Sequence, residues 1–438
     1  MQPRRWIAKG CAPTAFAAVV FLAPEIARAE EASARELPQA PAPASMPSWT
    51  RDLRFSGYLQ ADWGIVRQSS LDEVNSATGD PLNEKRFLIR RGHLRADYDG
   101  DGPVFGSLEL DANTIKGTTV RLVDAEASFR WPQAKDALPP SFVTTLGLFK
   151  TPFGFEVLEA DNVRPFLERA TVIRALFPGE FDLGLRFKLK WRALNLAMGL
   201  MNGAPLGEKQ LPGRDPNESK DLVGRLGATT TPVEGVGVDF GLSGVTGSGF
   251  HKGTPSTKDQ LVWRDTNEDG VVQPTEIQVI PGSSSTASQN FKRFGLGADV
   301  QVRVAVPVLG ELALRGELVF AKNLDRGIMP ADPVATGRDL REVGWYAGAT
   351  QEVTRWGMVG VRYDRYDADA DASRQAGASI LPSSAVFSTV AVMGMLRWSP
   401  GRLILEYDHN TNPLGRDAAG APTTLKDDAL TLRGEVTF

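Results

Sequence analysis

The stretch from Ser141 to Phe187 reads SFVTTLGLFKTPFGFEVLEADNVRPFLERATVIRALFPGEFDLGLRF. From Phe142 to Lys150 apolar and polar residues roughly alternate, the pattern of a strand with one face buried. The alternation resumes at Leu183, with Leu185 and Phe187 set against Arg186 and Lys188. Two strands therefore flank an insert at 151–182, where an ordinary hairpin connection has about two to five residues. An insert of that length is either a functional loop or a disordered one. Its Phe153, Phe155, Leu158, Phe166, Leu167, Val172, Ile173, Leu176 and Phe177 call for a surface to pack against. If both flanking strands belong to one closed barrel, that surface is the lumen wall, and the insert is read as a constriction loop folded inward.

Outward from this stretch the period-two pattern starts at Leu53 and continues to the last residue. Sixteen alternating runs can be placed, at roughly 53–66, 86–99, 103–113, 119–130, 142–150, 183–192, 194–202, 220–231, 235–246, 292–306, 311–322, 341–353, 356–366, 385–398, 402–410 and 428–438. Short turns such as Asp99-Gly-Asp-Gly102, Arg192-Ala193, Pro307-Val-Leu-Gly310 and Ser399-Pro-Gly401 alternate with long loops, of which 247–291 is the longest. A transmembrane β-barrel shows this asymmetry, because its periplasmic turns are short and its extracellular loops long.

The alternating residues separate this fold from a soluble sandwich. Leu185, Phe187, Leu189 and Trp191 oppose Arg186, Lys188 and Lys190, and Phe294, Leu296, Val300 and Val302 oppose Arg293, Asp299, Gln301 and Arg303. Nearly every strand is amphipathic, and none reads as a continuous apolar run buried on both faces. Apolar positions then face lipid and charged positions a wet lumen. Phe129, Trp131, Phe142, Trp191, Trp356 and Trp398 gather at the short-turn ends as an interfacial girdle. The fold class expected is all-β, a 16-stranded antiparallel transmembrane barrel with an inward third loop.

The N-terminus lies outside this pattern. Arg4, Arg5 and Lys9 precede an apolar run from Cys11 to Ala23 and then Ala27-Arg28-Ala29, the three zones of a secretory signal peptide cleaved after Ala29. Residues 30–50, rich in Ala, Pro and Glu, read as a flexible periplasmic linker, and 51–438 as the barrel. The one cysteine, Cys11, falls in the signal segment, which excludes thiol catalysis and cysteine metal sites in the mature chain. The chain has 49 Lys and Arg against 53 Asp and Glu; without four basic residues and one acid in 1–29, 45 stand against 52, a net −7. That charge leaves no basic field for nucleic acid. The last strand alternates Leu430, Leu432, Gly434, Val436 and Phe438 with Thr431, Arg433, Glu435 and Thr437 and ends on an aromatic, resembling the terminal signal of bacterial outer-membrane barrels.

Several segments resemble the phosphate-selective porin O and P family of Gram-negative outer membranes. They are Arg86-Phe-Leu-Ile-Arg-Arg-Gly-His-Leu-Arg95, Gly106-Ser-Leu-Glu-Leu-Asp111, Val123-Asp-Ala-Glu126, Leu146-Gly-Leu-Phe-Lys-Thr-Pro-Phe-Gly154, Leu167-Glu-Arg169 and Met201-Asn-Gly203. The resemblance covers mainly 53–205. It implies a sixteen-stranded, usually trimeric barrel in outer-membrane lipid, with a third loop in the pore and basic lumen residues that guide anions. The third loop here carries Arg164, Arg169 and Arg174 but also Glu156, Glu159, Asp161, Glu168 and Glu180, so a lysine ring cannot be matched residue by residue.

Selectivity in a pore is set by charge and diameter at its narrowest point. Alternation turns Arg91, Arg95, Arg186, Lys188 and Lys190 inward, and with Lys150 and the three loop arginines these are the expected anion-guiding residues. The other reading of any one of them is a hydrated lumen residue paired with an acid across the barrel. Elsewhere, Asp265, Asn267, Asp269, the Val271 carbonyl and Glu276 stand at calcium-loop positions 1, 3, 5, 7 and 12 with Gly270 at the turn. The alternative there is an acidic, solvated loop tip. His93, His251 and His409 lie far apart and suggest no enzyme; Ser388 near His409 is the weak exception. The expected function is passive diffusion of small hydrophilic solutes, with anions such as phosphate favoured and no cofactor required. The alternative is a non-conducting surface barrel with adhesive loops, organised by calcium.

Overall fold

The computed structural model describes residues 48–66, 85–133, 140–203, 216–376, 379–382, 385–416 and 422–438. The expected signal peptide and nearly all of the linker lie outside these residues; 48–50, the last of the linker, begin a 3-10 turn at Ser48–Asp52. Sixteen strands close one barrel. They are β1 Leu53–Val66, β2 Lys85–Asp99, β3 Val104–Asn113, β4 Thr119–Trp131, β5 Ser141–Lys150, β6 Phe181–Trp191, β7 Leu194–Met201 and β8 Asp221–Val233, then β9 Val236–His251, β10 Gln289–Val306, β11 Gly310–Lys322, β12 Arg341–Glu352, β13 Gly357–Asp367, β14 Val386–Trp398, β15 Gly401–Thr411 and β16 Ala429–Thr437. Each strand pairs antiparallel with its neighbour in sequence, and β16 returns to β1 with Tyr58 opposite Thr437 and Val66 opposite Ala429. The seam ends with Gly57 and Phe438 exchanging two backbone hydrogen bonds of 2.9 Å.

Most strands exceed the roughly 9–11 residues that a tilted strand needs to cross hydrocarbon. Their outer face is apolar and exposed, as at Phe55, Leu59, Leu146, Leu185, Leu242 and Leu296. Trp131, Trp191, Trp356 and Trp398 are each about half exposed near the short turns, and Phe142 packs between Trp131 and Phe187 with centroids 5.5 and 5.8 Å away. Closure removes every free strand edge, the condition for a sheet to sit in lipid.

Interruptions of the strict pairing occur on β2 and β4. Gln60 pairs with Arg91 and Ala61 with Ile89, so Arg90 is an extra residue on β2. Glu109 pairs with Asp124 and Leu110 with Leu122, so Val123 is extra on β4. Such a bulge lets two consecutive side chains point to one side. The register then continues with the opposite parity.

A packed apolar cluster lies within the lumen. Phe149, Phe153, Val157, Val172, Ile173, Leu176 and Phe177 meet wall residues Val223, Val245, Val319, Tyr346 and Tyr366. The inward third loop is therefore ordered by burial of its own apolar residues. Its one helix, α1, is short, Thr171–Leu176. Several strands outrun their sequence limits, β9 reaching His251 rather than 246, and short hairpins occupy the loops, among them Gln260–Trp263 paired with Ile277–Ile280.

Candidate functional site

The third loop leaves β5 at Lys150 and is fastened first to the opposite wall. Gly154, with φ +60°, donates its N–H to Ser243 Oγ at 2.9 Å, and the amides of Phe155 and Glu156 donate to Glu317 Oε1 at 3.0 and 2.5 Å. The next fastening is on the last strands. Leu167 N–H donates to Glu406 Oε2 at 3.0 Å, Arg433 to Leu167 O at 2.9 Å, Arg402 to Arg164 O at 2.9 Å and Arg362 to Glu168 O at 2.8 Å. Backbone groups that no strand ladder could serve are thus satisfied by wall side chains, which a buried loop requires.

Two carboxylates of the loop gather the arginines. Asp161 lies 3.1 Å from Arg91 and 3.2 Å from Arg169 and is in close contact with Arg164. Glu168 receives Arg90 at 2.8 Å, Arg91 at 3.3 Å and Arg433 at 3.2 Å, and Arg433 also grips Asp62 at 2.7 and 2.8 Å. Burial pushes the Asp161 carboxyl up, but Arg91, Arg164 and Arg169 together hold it well below the ordinary carboxylate range. Glu168 follows the same logic, with Arg90, Arg91 and Arg433 outweighing burial.

This geometry corrects part of the sequence expectation. Arg164 and Arg169 are 1% and 5% exposed and lie inside the loop's own packing, so they do not present free cations to the pore. Asp161 claims both, and Arg169 also contacts Glu180. Arg91 is largely covered and doubly paired, while Arg174 is exposed, its guanidinium donating to Thr171 Oγ1 at 3.2 Å. Lys150 donates to Glu159 O at 2.7 Å. Arg90, which strict alternation turns toward lipid, faces the lumen because of the β2 bulge.

Two cavities lie on the side of the loop nearer the short turns. The larger, about 530 Å³, is lined from β1 to β7 and by Leu158 and Ala160–Asn162 of the loop. The smaller, about 460 Å³, is lined from β7 to β11 and by Phe155 and Glu159. Most charges in these walls are matched in place. Arg95 meets Asp97 and Glu109 at 2.9 Å, Arg186 meets Glu126 at 2.8 Å, Arg315 meets Glu159 at 3.0 Å and Arg303 meets Asp239 at 2.6 Å. Lys188 and Lys190 differ. Both are exposed, and among the described residues neither makes an ion pair. Their cross-strand neighbours are Val143 and Ala197 for Lys188, and Ser141 and Asn195 for Lys190, all uncharged.

In the long loop after β9, the oxygens expected to hold calcium are turned to local donors. Asp265 accepts from the amides of Asp269 and Gly270 at 3.1 and 2.8 Å, and Glu276 is buried, accepting from Trp263 Nε1, Thr266 N and Thr266 Oγ1 at 3.0 Å each. Asn267 accepts from the amide of Asp269, which in turn accepts from that of Val271. Among the described residues no group of three or more His, Cys, Asp or Glu converges as a metal site. The three histidines each meet a carboxylate, and among the described residues none hydrogen-bonds a serine hydroxyl; His409 faces Asp428 at 3.0 Å, and Ser388 pairs with Thr411.

No protein-family model and no curated protein matches the chain. Solved structures do. The outer-membrane channel DcaP of Acinetobacter baumannii aligns with a TM-score of 0.53 at 11% identity over 88% of this chain and 97% of that one. OprB of Pseudomonas putida gives 0.51 at 11% over 89% and 95%, and the anion-selective porin of Comamonas acidovorans 0.50 at 11% over 88% and 99%. At such identity the likeness is one of architecture: a closed sixteen-stranded barrel of the Gram-negative outer membrane, with the fold of the porins.

Proposed function

We propose that the chain is a passive diffusion channel for small hydrophilic solutes, with anions such as phosphate favoured. The observation that carries this reading is the pair Lys188 and Lys190, exposed without ion-pair partners among the described residues in a wall whose other cations are largely neutralised. An anion in the lumen meets there two ammonium groups whose field is not cancelled locally. A wet path removes the cost of taking an ion into hydrocarbon, so neither cofactor nor energy source is needed. The descriptions of the Acinetobacter protein as a channel and of the Comamonas protein as an anion-selective porin support the reading. A homotrimer is proposed with it, to be read from the mass of the detergent-solubilised, unheated barrel.

The test is conductance in planar bilayers under a potassium chloride gradient, with phosphate titrated in. Reversal toward the chloride potential, reduced in Lys188→Gln/Lys190→Gln, is the expected result. Reversal toward potassium would keep the channel and remove its anion preference. A folded barrel without conductance would favour a surface-binding role for the loops instead.

Calcium binding at Asp265, Asn267, Asp269, Val271 and Glu276 is a separate proposal. It is favoured by Gly270, whose φ of +73° is the sharp turn such a loop needs. Because the Trp263 indole donates to Glu276, binding would alter Trp263 fluorescence. An unchanged spectrum up to about 1 mM calcium would sink the idea.

A further inference from the structure

We propose that the larger cavity binds an amphiphilic organic monoanion, its apolar body against Pro152 and Leu158 and its carboxylate at Lys188. This rests on the channel reading and names the solute class of that lumen. Nearly all apolar residues of the third loop are buried, as Phe153, Val157, Ile173 and Leu176 are. Among the larger ones Leu158 is the exception within the cavity: it lines it and remains 37% exposed, with Pro152 in the same lining. An apolar lip in a wet, charged lumen is a surface that a hydrated inorganic ion cannot use, whereas a solute with an apolar body gains by covering it.

The facing charges determine the sign of the solute. Glu126 is held by Arg186 at 2.8 Å, Asp124 takes Ser107 Oγ at 2.7 Å and Arg95 at 3.5 Å, and Glu109 contacts His93 and Arg95. Asp161 is shared among three arginines. The carboxylates of the lining are therefore engaged within the wall, and the Lys188 ammonium is left for the solute. A cation with the same apolar body meets that ammonium unfavourably.

Benzoate, acetate and benzylammonium test both halves of the site. Binding is measured by titration calorimetry on the intact barrel in detergent, with conductance block recorded in bilayers. Benzoate is expected to bind roughly tenfold more tightly than acetate, the scale of covering one face of a small ring, and benzylammonium not to bind. Leu158→Asn should erase the benzoate advantage, and Lys188→Gln should weaken both anions. Val163→Asn, at an exposed loop residue outside the cavity lining, should preserve the advantage. Equal affinity for benzoate and acetate, or an advantage that survives Leu158→Asn, overturns the proposal even if the pore conducts. Preferential benzoate binding without conductance would support the site and overturn the channel reading instead.

Discussion

Asp161 shows how much a single side chain can carry in a lumen. Three guanidiniums, from Arg91, Arg164 and Arg169, converge on it, and Arg164 is buried with Nε and Nη1 left without hydrogen-bond partners among the described residues. Asp161→Asn takes the close carboxylate from buried Arg164 and leaves it crowded against Arg91 and Arg169, which keep Glu168 and Glu180, a loss expected at about 3–5 kcal/mol, read from the unfolding midpoint in urea and detergent. The pH dependence has a definite sign. The folded carboxyl titrates below its ordinary value of about 3.8, so its stabilisation is present above that value and is lost as pH falls through the lower, folded pKa. The gap between wild type and Asp161→Asn should hold from about pH 7 to 5 and begin to close only below about pH 4. Glu168 offers a functional counterpart. Glu168→Gln removes a negative charge from among Arg90, Arg91 and Arg433 and should move the reversal potential further toward that of chloride. These arginines were legible as inward residues only in part. Arg91 and Arg433 follow the alternation, but Arg90 does not: the outward apolar residues of β2 change parity between Phe87 and Ile89 on one side and Leu94 and Tyr98 on the other, and which of the two arginines is the extra residue is fixed only by pairing with β1.

At the level of elements, the third loop is held by a second loop that no sequence pattern announced. The segment after β11 folds inward, placing Leu324 at 1% exposure beside α1, and the amides of Arg326 and Gly327 both donate to Ala175 O at 2.9 Å. Asp325 stabilises this bend by accepting from the amides of Gly327, Ile328 and Met329 and from Tyr366 Oη at 2.7 Å. Leu324→Ala should cost about 2–4 kcal/mol and loosen α1, giving noisier single-channel current at unchanged mean selectivity. Quiet current in a destabilised variant would mean that α1 holds its place without this cover. Glycine has a comparable positional role at the loop's root. Gly147 has φ +141°, and a side chain there would run into the Ala125 carbonyl on β4, so Gly147→Ala should impair pairing of β5 where the loop begins.

For the whole molecule, closure is the event on which everything else depends. The Phe438 ring lies over Gly57, where a side chain would collide with it, and the two residues share both seam hydrogen bonds. Deleting Phe438 should therefore lower the fraction of barrel that resists unfolding in cold detergent and shifts mobility on heating. An unchanged fraction would assign closure to the β1–β16 ladder upstream.

The sequence alone determined the period of two, the alternation of short and long connections and the apolar character of the third loop. All three follow from residues close together in the chain, whose side chains alternate between faces by backbone geometry. Sixteen strands and an inward loop could be read from them. Which lumen charges remain available to a solute was decided by the tertiary structure. Arg433 and Asp62 meet across 371 residues, and Gln60 meets Glu435 across 375. Arg164 disappears into the loop while Lys188 stays open beside Val143 and Ala197. The physical reason is that a charge is neutralised by whatever closure brings within a few ångströms, and closure joins residues that no local pattern connects.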